Sequence, residues 1–249
     1  MNAAVAAIVL LAGLAVGATS IGGVLVVPAL TALAGLPIQE AIAVSNFSFL
    51  FIGVAAFWQA RRSAHFDATA NAGALGFAIA ALFGAALGAA SLHWLPTSWM
   101  RSVVAVVALG SGVLALTEPL VTEGGPLTPG RGMAIALLVG CLSAWSGTGG
   151  PVLLLPILML ARVPTLRALA MAQAVQLPIA LAAATVNLGS GRLDVGLGVL
   201  VGVLLLAGWW AGWKLARHIS VRLARRLIGL ALIGVGILYA AQTLGLVGH

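Results

Sequence analysis

Long apolar runs, cut by short polar or glycine-rich breaks, set the plan of the chain. An uncharged run, Ala3–Val16, is followed by the break Gly17–Gly23 and a second apolar run, Val24–Ala34, closed by Gly35-Leu36-Pro37. Neither run reaches the roughly 20 residues that a membrane-crossing helix needs. Three full-length runs come next, Ala41–Ala60, Ala70–Leu92 and Trp99–Thr117, separated by Arg61–Asp67 and His93–Ser98. Glu118–Arg131 holds Pro119, Pro126, Pro129 and three glycines, a composition that predicts a loop at mid-chain. The plan then repeats, with short runs Met133–Ala144 and Pro151–Ala161 around a break at Trp145–Gly150. After the loop Arg162–Arg167 come Ala168–Leu188, Val195–Trp213 and Leu227–Leu246. The runs are continuous rather than alternating, so helices are expected and not barrel strands.

The two passes match at a fixed offset. Gly13 and Gly140, Gly22 and Gly149, Gly23 and Gly150, Pro37 and Pro164, and the only two aspartates, Asp67 and Asp194, all stand 127 residues apart. Ser45-Asn46 falls on Ala172-Gln173, which keeps an amide in kind, while Pro28 and Pro156 miss register by one. Leu and Ala matches carry little weight in this composition; Gly, Pro and Asp matches carry more. A duplication is therefore expected: a first repeat over 1–117, a linker over 118–131 and a second repeat over 132–249, joined in one transmembrane domain.

Composition names the solvent. Of 249 residues 62% are hydrophobic and only 7% charged, against roughly 25% charged in soluble domains. Such a chain cannot make a water-soluble surface, so its partner is the lipid bilayer. A net charge of +7 would suggest nucleic acid in a soluble protein. Here the basic residues sit in short loops and follow the positive-inside rule, so no nucleic-acid partner is expected. Arg61, Arg62, Arg162, Arg167, Lys214, Arg217, Arg222, Arg225 and Arg226 mark cytoplasmic loops and make up nine of the twelve basic residues. The Arg61–Asp67 loop is then inside, while its equivalent near Arg192 and Asp194 is outside. The repeats are accordingly expected to be inverted in topology. Each holds a re-entrant or broken helical hairpin and three transmembrane helices, an odd number of crossings, with the linker inside and both termini outside. The first twenty residues lack a basic n-region and have a counterpart at Ala134–Leu142, so they are expected to stay in the mature chain.

The breaks carry the candidate chemistry. Non-helical backbone at membrane depth is tolerated only when buried in protein or lining a wet cavity. Pro151 suits the first turn of a returning half-helix, whose N-terminus then faces the centre with free N–H groups. The first half does the same from the other side with Gly22-Gly23-Val24. Thr19, Ser20, Gly22, Gly23, Ser146, Gly147, Thr148, Gly149 and Gly150 are the candidate substrate contacts, with hydroxyls from Thr19, Ser20, Ser146 and Thr148 as added donors. Kinks or small-residue packing are the plainer alternative. Asn46, Gln173 and Gln176 are candidate second contributors; interhelical hydrogen bonding is their alternative role. Ser45 and Ser48 are weaker candidates. Gly84/Gly88, Gly198/Gly202 and Gly208/Gly212 have GxxxG spacing and are expected to allow close helix approach. Trp94, Trp99, Trp209, Trp210 and Trp213 are expected as interfacial anchors. A single cysteine, Cys141, excludes an internal disulfide. No HExxH, CxxC or clustered carboxylates occur, so no metal, catalytic residue or cofactor is expected. The five acids, Glu40, Asp67, Glu118, Glu123 and Asp194, lie in loops or at helix ends.

With its paired Gly22-Gly23 and Gly149-Gly150, the following prolines and the Asp-ended loops, the chain resembles the TauE/SafE sulfite exporter family over nearly its whole length. That resemblance implies export of sulfite or a small organosulfonate, hence an anionic substrate. The expectation is an all-α polytopic transporter of the bacterial inner membrane; a homo-oligomer stays open. An anion channel and a structural membrane subunit are the alternatives, and an intramembrane enzyme would need a nucleophile and base that are not found. With no ionisable group near the centre of a span, electrogenic uniport is the expected energetics. An anion leaving a negative interior moves downhill by about 2.3 kcal/mol per charge per 100 mV. Proton coupling through Asp67, Asp194 or the substrate is the second choice.

Overall fold

A computed structural model describes residues 2–62, 71–117, 127–216, 218 and 221–245. In order these form α1 (Ala3–Thr19), a 3-10 turn (Gly23–Leu25), α2 (Val26–Ala34), α3 (Ile38–Arg62), α4 (Asn71–Ser91) and α5 (Thr97–Leu116). Then follow α6 (Pro129–Ser146), α7 (Pro151–Leu160), α8 (Thr165–Gly189), α9 (Val195–Leu215) and α10 (Val221–Thr243). Among the described residues there is no strand. α3, α5, α8, α9 and α10 each contain a stretch long and apolar enough to cross a membrane; the apolar part of α4, Leu75–Ser91, is shorter. Asp67 and Gly125 lie outside the described residues.

Local chemistry explains several boundaries. Asn2 caps α1 by accepting the Val5 N–H at 2.9 Å, and Asp194 caps α9 by accepting that of Leu197 at 2.9 Å. α6 starts at Pro129, within the stretch expected as linker, because proline at the first helical position gives up an N–H that has no partner there. The second half-helices differ. α7 runs from Pro151 and takes Pro156 into its interior, whereas α2 is preceded by a 3-10 turn and places Pro28 in its first turn. That one-residue shift of the proline keeps its missing N–H where no helical bond is required.

Helix bounds repeat along the chain. α3 and α8 coincide at both ends at an offset of 127, whereas α4 and α9 coincide at an offset of 124. The difference lies in the connections before α4 and α9. At the shorter offset Gly84 falls on Gly208 and Gly88 on Gly212, a match that the single offset of 127 hides. Packing follows the same correspondence. A Cβ on Gly208 or Gly212 would run into the carbonyl of Leu10 or Leu14, and one on Gly84 or Gly88 into that of Leu137 or Cys141. Gly13 and Gly140 press in the same way on Leu205 and Ala81. These glycines bring helix backbones into direct contact, as GxxxG spacing predicts. Gly198 and Gly202 instead receive the rings of Phe47 and Phe51.

The contacts also fix direction. α1 runs parallel to α9, since Gly13 meets Leu205 and Gly17 meets Trp209; α6 runs parallel to α4, and α3 to α9. α5 and α10 are antiparallel, with Leu109 at Gly236 and Leu116 at Gly229. One end of the bundle therefore gathers the start of α1, the α2–α3 junction and the α8–α9 turn. There Asn2 Nδ2 donates to the Leu33 carbonyl at 3.2 Å, and Pro37, Gln39 and Glu40 share a groove with Gly191–Asp194. The start of α6 and the α7–α8 junction sit at the opposite end, beside the end of α3 and the start of α10. The hairpin α1–α2 thus enters and leaves at one end, and α6–α7 at the other. One buried cluster is built mainly from α1, α2, α3 and α9 with residues of α5, α8 and α10, and another from α4, α6, α7 and α8. Trp209 corrects an expectation. It is buried at 9% exposure against Gly17 rather than standing at an interface, while Trp94, Trp99 and Trp210 are exposed.

Candidate functional site

Both hairpins turn inside the bundle. The helices run further into the expected breaks than the glycines alone suggest: α1 passes Gly17 and ends at Thr19, and α6 ends at Ser146. Each is closed by a left-handed residue at equivalent positions, Ser20 (φ 61°) and Gly147 (φ 66°). Glycine meets this conformation without steric strain, and serine does not. Gly22 (φ 144°), Gly149 (φ 77°) and Gly150 (φ 98°) continue the turns, and Pro151 opens α7.

The tips touch. A Cβ on Gly23 would stand 2.9 Å from the Thr148 carbonyl and 2.6 Å from Phe49 Cζ, and one on Gly149 would stand 2.7 Å from Phe49 Cγ. The Phe49 ring is therefore held between the two glycine turns. Amides on the long helices clasp the tips across the halves. Asn46 Nδ2 donates to the Ala144 carbonyl at 3.0 Å, and Gln173 Nε2 donates to Ser20 Oγ at 3.0 Å. Ser45 Oγ adds a bond to the Gly147 carbonyl at 2.6 Å. Interhelical bonding is thus a real role of Asn46 and Gln173.

The candidate hydroxyls are unequal. Thr19 Oγ1 is engaged with the Ala15 carbonyl (2.9 Å) and the Ile21 N–H (3.2 Å) of its own tip. Ser146 Oγ donates to the Leu142 carbonyl at 2.8 Å and shares a bond with Thr148 Oγ1 at 3.0 Å. Ser20 accepts from Gln173 and keeps its own proton to give.

Gln176 differs from all of these. It is 1% exposed, and neither its amide nitrogen nor its amide oxygen has a partner. It sits on α8 one turn from Gln173, which touches the first tip. One turn further on is Ile179, whose side chain would be 2.8 Å from a Cβ on Gly150 of the second tip. Ser143 Oγ and Asn46 Oδ1 are likewise buried and unpaired. A buried group without a partner costs about 1–3 kcal/mol, and here several such groups converge on one place. Ser143 opens the polar stretch expected to form the second tip but was not among the named substrate contacts, and Phe49 was not expected at the site at all. The signal for Phe49 is its place 127 residues before Gln176.

The described acids lie elsewhere, Glu40 and Asp194 both lining the groove at one end. Among the described residues no group of His, Cys, Asp and Glu could hold a metal ion. The site is uncharged in its side chains, polar and enclosed by apolar helices. Such a site can offer hydrogen-bond donors to a small anion without a fixed counter-charge.

A family model, Sulfite exporter TauE/SafE, matches residues 5–239. The chain belongs to the TauE/SafE family. No curated protein and no solved structure matches it. Membership in a family of exporters, together with five helices among the described residues that are fit to cross a bilayer, makes this a multi-pass membrane protein of the transporter class.

Proposed function

We propose that the chain exports a small anion, sulfite or a small organosulfonate, across the bacterial inner membrane, and that it binds the anion where the two hairpin tips meet. Gln176 carries this reading: a fully buried amide between the tips whose hydrogen-bonding groups are all unspent. Its Nε2 and the Ser143 hydroxyl can donate to anionic oxygens, and the N-terminus of α7 adds a favourable dipole. Glycines at the turns let backbone approach the ligand as a side chain would not.

The halves form an inverted pair in this reading. Parallel packing of α1 on α9 and of α6 on α4, with hairpins returning to opposite ends, supports it. The end bearing the α3–α4, α7–α8 and α9–α10 connections carries most of the Arg and Lys residues and is then cytoplasmic. The tips are buried against each other, which favours a gated carrier over a standing pore.

Gln176→Leu tests the site. Replacing an unpaired amide with an apolar residue of similar size leaves a protein as stable or more so. A binding role therefore predicts sulfite efflux from liposomes reduced more than roughly tenfold with thermal stability kept. Undiminished efflux refutes the site, and joint loss of stability and efflux assigns Gln176 a structural role instead.

A further inference from the structure

Between α5, α7 and α10 a narrow cleft leads from the tips toward the basic end of the bundle. Ile21 and Pro151 line it at the tips, Ser111 and Met159 form its walls, and Arg225 of α10 reaches into it. The cavity measures about 20 Å³, room for about one water molecule. Arg225 is only partly exposed, and its Nε is buried without a hydrogen bond. A guanidinium does not lose its proton. This side chain therefore holds a permanent positive charge and an unspent donor on the wall of a cleft that ends at the proposed site.

The equivalent groove on the other side is built differently. At the offset of 124 that relates α4 to α9, α5 also starts where α10 does, and Gly110 and Gly112 fall on Gly234 and Gly236; Arg225 then falls on Arg101, and Tyr239 on Ala115. Tyr239 is buried at 3% exposure, and its hydroxyl is hydrogen-bonded to Thr31. Both sides thus carry an arginine at the equivalent position; on one side Arg225 lines the cleft, and on the other a tyrosine is latched to α2.

We infer that Arg225 gathers the anion on the cytoplasmic side and passes it toward the tips. The inference rests on the reading of the tips as an anion site. Capture from the cell interior then uses a fixed charge on the wall of the cleft.

The test is sulfite flux in liposomes of known protein orientation, measured from each face for wild type, Arg225→Gln and Arg225→Lys. Arg225→Gln is expected to raise the half-saturating sulfite concentration at the cytoplasmic face about tenfold, with a smaller change at the opposite face. Arg225→Lys restores most of the loss, since charge and reach are kept. Equal shifts at both faces, or no shift, overturn the inference. Should Arg225→Gln not fold, wild type still decides. Added inert salt must raise the half-saturating sulfite concentration at the cytoplasmic face, and salt-independent capture there overturns the inference. A wild type that moves no sulfite from either face refutes the transporter reading itself, a different result from active wild type with an indifferent variant.

Discussion

Adding a single methyl group at Gly149 probes the tip contact most directly. Gly149 has φ 77°, where a side chain is strained, and its Cβ would stand 2.7, 2.8 and 3.1 Å from three atoms of the Phe49 ring. The ring cannot swing away toward the first tip. Phe49 is 1% exposed, and its Cζ lies 2.6 Å from where a Cβ on Gly23 would be. Gly149→Ala therefore carries a left-handed backbone cost of about 1–2 kcal/mol and an overpacking cost of about 1–3 kcal/mol. Phe49→Leu, which removes the ring, is expected to cost roughly 1–2 kcal/mol alone. Combined, the two changes should relieve the overpacking but not the backbone strain, giving a favourable coupling of about 1–3 kcal/mol. Gly110 is the control: it lies within α5 with nothing within 4 Å of its Cβ position, and Gly110→Ala should stabilise by about 0.4–1 kcal/mol. Denaturant titration in detergent micelles, followed by tryptophan fluorescence, measures all four. A Gly149→Ala protein within about 0.5 kcal/mol of wild type, or purely additive effects of Gly149→Ala and Phe49→Leu, would refute the reasoning. In transport, Gly149→Leu and Gly22→Leu should each abolish efflux while the protein still inserts; normal flux in both sinks the tip assignment.

Other outcomes follow from the same geometry. Gly84→Leu and Gly208→Leu should lower thermal stability alike, since each drives a side chain into an equivalent backbone carbonyl; a large loss in one and none in the other would break the correspondence of the halves. In a background with Cys141 replaced by Ala, Gly125→Cys should be labelled from the cytoplasm and Ser190→Cys from the periplasm, and the reverse pattern would overturn the inverted arrangement. With equal pH on both sides, a potassium–valinomycin potential alone should drive sulfite flux, at about 2.3 kcal/mol per charge per 100 mV. Flux that ignores the potential and follows a pH gradient would establish proton coupling instead.

Much of the scaffold was legible in local chemistry. Long apolar runs, Gly-Gly breaks and proline placement act within a few residues, so they announced the helices and the turns without tertiary information. The internal match was visible because Gly, Pro and Asp recur at one offset, although the second offset, for α4 and α9, was masked by a longer connection. The hairpin ends were less legible, since a glycine alone does not stop a helix: Gly17 sits inside α1 because it packs on Trp209. Trp209 likewise has the composition of an anchor and the burial of a core residue.

The division between sequence and tertiary structure is sharpest at the tips. Composition and charge determined by themselves that the chain lives in a bilayer, that it is helical and which end carries most of the basic residues, because lipid leaves few other solutions. They also singled out the two glycine turns. Only packing decided which polar groups remain free, since that depends on partners more than a hundred residues away. The amide nitrogens of Asn46 and Gln173 are spent on the opposite half's tip, Thr19 and Ser146 on their own helices, and Gln176 on nothing. The cleft beside Arg225 was equally invisible in the sequence. An arginine near a helix start looks like one more positive-inside charge until α5 and α7 are placed around it.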